Sequence, residues 1–185
     1  MPDDAPEEFL LAVERLRAVR LRPEVLLEEV PAPQRIAPHA LALSADVVVD
    51  DEELATGRFV LLYDPAGQES WEGVFRAVTF VRAALESDVG SDPLVGEIGW
   101  TWLRESLESH GAEYTAAGCT VTRVISESFG ALSERPATVE LEVRASWTPT
   151  ADDVEVHLSA WAALLCTVGG LPPLPAGVAA LPRRR

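Results

Sequence analysis

The chain has 185 residues, 48% of them hydrophobic and 24% charged, with a formal net charge of −15. That size and apolar content suit one folded domain and exclude a disordered, charge-rich chain. Thirty Asp and Glu stand against fifteen basic residues, all of them arginine, so nucleic acid is a poor partner: its affinity rests on cations that displace counterions.

The amino end, Met1-Pro2-Asp3-Asp4, carries neither the basic stretch nor the apolar run of a secretory signal, which predicts a cytoplasmic protein. A first helix is expected from Pro6 to Arg20, with Asp3 and Asp4 at its positive end and Phe9, Val13 and Leu16 on its buried face. Pro23, Pro31, Pro33 and Pro38 then mark an extended connector, with a short strand candidate at Val25 to Glu29. Three strands follow, Ala40 to Val49, Thr56 to Tyr63 and Trp71 to Ala83, separated by the turns Asp50 to Glu53 and Asp64-Pro65-Ala66-Gly67.

Asp92-Pro93 opens a second helix that ends at Gly111, since Asp caps free amides and Pro has the φ of a first helical residue. Leu94, Ile98 and Trp102 form its sheet-facing stripe. Trp100 points about 200° away from Trp102. With the small Gly96 and Gly99 beside it, Trp100 is a candidate protein contact, most simply with a second copy of the chain.

Strands at Tyr114 to Ser128 and Thr138 to Thr148 come next. In the latter, Val139, Leu141, Val143, Ala145 and Trp147 face one way and Glu140, Glu142, Arg144 and Ser146 the other. The last helix is expected to open on Thr150-Ala151-Asp152-Asp153 as a capping box and to bury Val154, Leu158, Trp161, Ala162 and Leu165. From Leu158 to Pro182 no residue is charged, but Gly169, Gly170, Pro172, Pro173 and Pro175 break the run, which therefore reads as a helix end and a Pro-rich tail, not a membrane span. The expectation is one α+β domain over 1–170, with 171–185 as a tail ending in Arg183, Arg184 and Arg185. Its five-stranded antiparallel sheet and three helices follow the order α-β-β-β-α-β-β-α, with the long helices on one face.

No motif supplies a catalytic centre or a cofactor site. Asp64-Pro65-Ala66-Gly67-Gln68 looks like the Asp-x-x-Gly-Gln element of small GTPases, but a phosphate loop needs a lysine and the chain has none. His39, His110 and His157 fall in the connector, at a helix end and on the polar side of the last helix, so no metal site is expected. Cys119 and Cys166 read as buried thiols. Arg76 and Arg82 share one face of their strand with Val74, Val78 and Phe80. Joined by Arg123, they make a candidate anion site or, against Glu127, Glu140 or Glu142, a set of ion pairs.

Trp71-Glu72-Gly73-Val74-Phe75-Arg76, Asp92-Pro93-Leu94, Gly99-Trp100-Thr101-Trp102-Leu103, Thr120-Val121-Thr122, Ser126 to Gly130 and Arg144-Ala145-Ser146-Trp147-Thr148-Pro149 together resemble an uncharacterised actinobacterial family of domains of unknown function. The resemblance implies no activity and no site residues. It does imply a gene setting beside a ribonuclease D-like exonuclease. The element order resembles that of type III secretion chaperones and their YbjN-like relatives, which implies a small acidic dimer that binds protein. The function expected is a non-enzymatic, chaperone-like protein-binding adaptor; an accessory factor in RNA processing and an enzyme with an unrecognised site are the other readings.

Overall fold

A computed structural model describes residues 5–174. The elements are α1 (Glu7–Ala18), β1 (Val25–Val30), β2 (His39–Val49), β3 (Glu52–Gln68), β4 (Gly73–Leu85), α2 (Ser87–Gly90), α3 (Val95–Ser109), β5 (Tyr114–Ser126), β6 (Thr138–Pro149) and α4 (Val154–Val168). All strands join one antiparallel sheet in the order β1-β2-β3-β4-β6-β5. The α+β antiparallel architecture holds, while the count is six strands and four helices, not five and three. The additional strand is β1, which is short and bracketed by Pro23 and Pro31. The additional helix is α2, a single turn.

The β2–β3 turn is a two-residue loop, Asp50-Asp51, both with positive φ (50° and 65°). This conformation matches the right-handed twist of the strands it joins, and Asp tolerates it better than most residues. Helices α3 and α4 end alike. Ala112 N donates to Leu107 O at 2.9 Å and Leu171 N to Cys166 O at 2.9 Å, with Gly111 and Gly170 in the left-handed region that this ending requires. The expected capping box is not formed: Asp153 occupies the N-cap of α4 without a side-chain hydrogen bond. At α3, Asp92 Oδ1 accepts from Leu94 N at 2.9 Å and the helix proper begins at Val95. The expected role of Asp3 and Asp4 at α1 and the tail beyond Leu174 lie outside the described residues.

Period-2 alternation sends the odd-numbered residues of β2, β3, β4 and β6 to the helical side. Leu43, Phe59, Leu61, Val81, Leu141 and Trp147 are buried there under Leu16, Leu103, Trp161 and Leu165. Helix α4 runs through the middle of this layer and is buried on nearly every side. His157 therefore does not face water: it is 0% exposed, and its Nδ1 accepts the Trp147 Nε1 proton at 2.9 Å. Trp100 and Trp102 both pack, partly buried, against this core. The line facing the sheet runs through Gly99 and Leu103, between the two indoles, so each leans in from a flank. Leu94, expected on the stripe, is exposed.

Among the described residues the opposite face carries no α-helix. One end is closed by a second, small core of Ala42, Val60, Leu62 and Trp71, against which Val30 and the connector residues Ala32 and Ala37 pack. Among the described residues no helix is long and apolar enough to cross a membrane.

Candidate functional site

Strand register dictates what the open face presents. One row across the sheet reads Ser44, Arg58, Phe80, Arg144, Thr120, each residue paired with the next. The row beside it reads Ala42, Val60, Val78, Ser146, Gly118. Together they form an open groove of about 830 Å³. Its floor is Val60, Val78 and Phe80, and Val78 remains 39% exposed. The Arg144 guanidinium lies 5.2 Å from the Phe80 ring centroid while pairing with Glu142 at 2.9 Å. On the other side of Phe80, the exposed Arg58 has no hydrogen bond or ion pair among the described residues.

Arg76 supports the groove from its closed end. Its Nη1 donates to Ala116 O (2.8 Å) and Thr148 Oγ1 (3.1 Å), and its Nη2 to Ser146 Oγ (2.7 Å). Burial lowers its pKa from the ordinary guanidinium value and Glu72 opposes that shift; a guanidinium so placed stays charged. Ala116 sits at the β5 bulge between Thr115 and Gly118 with φ 50°, a left-handed conformation that costs a non-glycine residue energy. The bulge turns its carbonyl to Arg76.

The three arginines expected to share an anion site do not converge. Arg82 pairs with Glu140 at 3.0 Å. Arg123 pairs in register with Leu141, hence lies toward the helical side, and its Nη1 donates to Gly90 O (3.1 Å) and Asp92 O (2.6 Å). Arg76 reaches the groove's edge through its hydrogen bond to Ser146, a lining residue. Arg58 and Arg144 were passed over because only cross-strand register, which spacing within a strand does not reveal, sets them on either side of Phe80.

The sheet's two edges differ sharply. Edge strand β1 has six residues, two of them Glu28 and Glu29. Edge strand β5 has thirteen, without an acid or a proline, and its single charge, Arg123, is engaged with carbonyls. Long uncharged edges are what soluble proteins ordinarily avoid, because the free N–H and C=O row is a template for another strand. Apolar side chains gather at the β5 end: Val124 and Ile125 are exposed, and Phe129 in the following loop is 75% exposed.

The sequence pattern of a family described as proteins of unknown function, DUF3000, matches residues 5–179. The chain belongs to that family. No curated protein and no solved structure matches it.

For this family member the remaining candidates fall as follows. Gly99 faces the sheet: a Cβ there would lie 3.3 Å from Val121 Cγ2, so its smallness lets α3 approach β5. Gly96 has open space around its Cα. Trp100 follows Gly99 directly and lies nearer Gly96 around the helix, partly buried against the core. His39 packs beside the stacked Phe9 and Tyr63, at ring-centroid distances of 5.5 and 6.1 Å. His110 Nδ1 lies 2.8 Å from Ser106 O. Among the described residues no three His, Cys, Asp or Glu gather as a metal site. The thiols of Cys119 and Cys166 are both pushed up by burial, Cys166 to about 11, and are therefore weak nucleophiles.

Proposed function

We propose that the protein is a non-enzymatic, chaperone-like protein-binding adaptor, acting through the β5 edge and the adjoining flank of α3, with a second copy of the chain as its first partner. The observation that carries this reading is the contrast between the guarded β1 edge and the unguarded β5 edge. Two bodies of charge −15 repel, and over most of the surface that repulsion opposes association. Along the thirteen residues of β5 there is no acid, so antiparallel pairing of two such strands satisfies the free backbone row without bringing carboxylates together. Trp100 and Gly96, beside that edge, extend the contact onto α3.

Multi-angle light scattering at micromolar protein tests it. The expected result is a dimer for the wild type, a monomer for Thr122→Glu, which puts a carboxylate on the acid-free edge of each copy, and a weakened dimer for Trp100→Ala. A wild-type monomer, or a dimer indifferent to both changes with folding intact, overturns the reading.

A further inference from the structure

The groove on the open face is remote in purpose from strand pairing at the edge, and its chemistry is different. We propose that it binds a small amphiphilic anion: a molecule with a flat or aliphatic apolar part and one phosphate, sulfonate or carboxylate group.

An uncovered face of an antiparallel sheet ordinarily presents polar side chains. Here Val60 emerges from under the connector and continues into the exposed Val78 and the half-buried Phe80, whose ring is covered on one side by Arg144. The small core of Trp71 and its neighbours blocks one end, leaving an apolar strip too short for a long extended chain but within the roughly 300–1,000 Å³ of small-molecule sites.

Three donors border that strip. Arg58 has no carboxylate partner among the described residues, in a chain with twice as many acids as bases. Arg144 lies over Phe80 from the opposite side, restrained by Glu142. Ser146 Oγ already accepts from Arg76, so its hydroxyl proton is free to be donated. The groove lining contains no His, Asp or Glu. It can therefore hold an anion but brings no general base to it. The arrangement suits a ligand whose apolar part lies on Val78 and Phe80 and whose anionic group reaches Arg58 and Ser146.

The test is fluorescence titration with 8-anilinonaphthalene-1-sulfonate, which has both halves of this chemistry, against the neutral N-phenyl-1-naphthylamine. Wild-type protein is expected to bind the sulfonate saturably at one site and more tightly than the neutral amine. Arg58→Gln and Phe80→Leu should each weaken it by about tenfold, the worth of one charge-assisted hydrogen bond or ring contact. Arg17→Gln, on α1, should not. Both groove residues are at least partly exposed, so near-ultraviolet circular dichroism should confirm intact folding. Competition by AMP or by octanoate supports the proposal and tells a phosphate source from a carboxylate one. No saturable binding, equal affinity for the neutral amine, or affinity unchanged in both groove variants overturns it, as does displacement by oligouridylate alone, which would make the face a single-stranded RNA surface.

Discussion

Trp161→Ala should destabilise the protein by about 3–5 kcal/mol, the range for emptying a fully buried aromatic site. The indole is 0% exposed and packs at a tilt against Phe59, with centroids 5.8 Å apart. It also lies against the β3 backbone at Gly57, where a Cβ would come within 2.8 Å of Trp161 Cζ2 and 2.6 Å of Phe80 O. Helix α4 and the neighbouring central strands β3 and β4 thus meet at one point, and a cavity there has little room to collapse. Trp161→Phe is expected to cost much less, because the indole Nε1 has no protein hydrogen-bond partner to lose. Urea unfolding of the three proteins checks this; equal losses for Ala and Phe would contradict it.

Acid should weaken the fold through His157. Burial lowers its pKa from 6.5 to about 4, with Asp153 acting in the opposite direction. Protonation would also place a proton on Nδ1, where Trp147 Nε1 now donates. In the unfolded chain His157 regains its ordinary pKa, so between pH 6.5 and about 4 the unfolded state binds the extra proton. The stabilisation is complete above pH 6.5 and lost as pH falls toward 4, amounting to about 3 kcal/mol. His157→Gln can still accept from Trp147 but does not titrate. Urea unfolding at several pH values should give a shallower acid slope for the variant, and equal slopes in the two proteins would exclude His157 as the source.

Much of the fold was legible because alternation and turn chemistry agreed. Val139 to Trp147 could only be a half-buried strand, and the prolines of the connector, Asp92 and the glycines ending α3 and α4 punctuated the chain where the structure does. What escaped has physical reasons. Strand β1 coincides with the short candidate at Val25 to Glu29, which the count of five leaves out because six residues between prolines show too little alternation. Helix α4 is apolar over most of its circumference; its partly exposed stripe runs through Glu155, Ser159, Ala163 and Thr167, and His157 lies off it on the buried side. The β5 bulge inserts one residue between Thr115 and Gly118, which reverses the parity on which the grouping of Arg123 with Arg76 and Arg82 depended. The Arg58–Phe80–Arg144 row lay beyond reach of the sequence for a related reason: it exists only through the pairing of β3, β4 and β6. Spacing sets Trp100 on the far side of α3 from Trp102, whereas Gly99 between the indoles lets both touch the core.

Strand pairing at the β5 edge can be read directly by backbone amide exchange of residues 114–126 at low and high protein concentration. Pairing of two copies predicts that the outward-pointing amides of β5, one residue in two, exchange fast in dilute solution and become protected as concentration rises, while the β1 edge stays unchanged. Protection in β5 that is independent of concentration and of Thr122→Glu would contradict it.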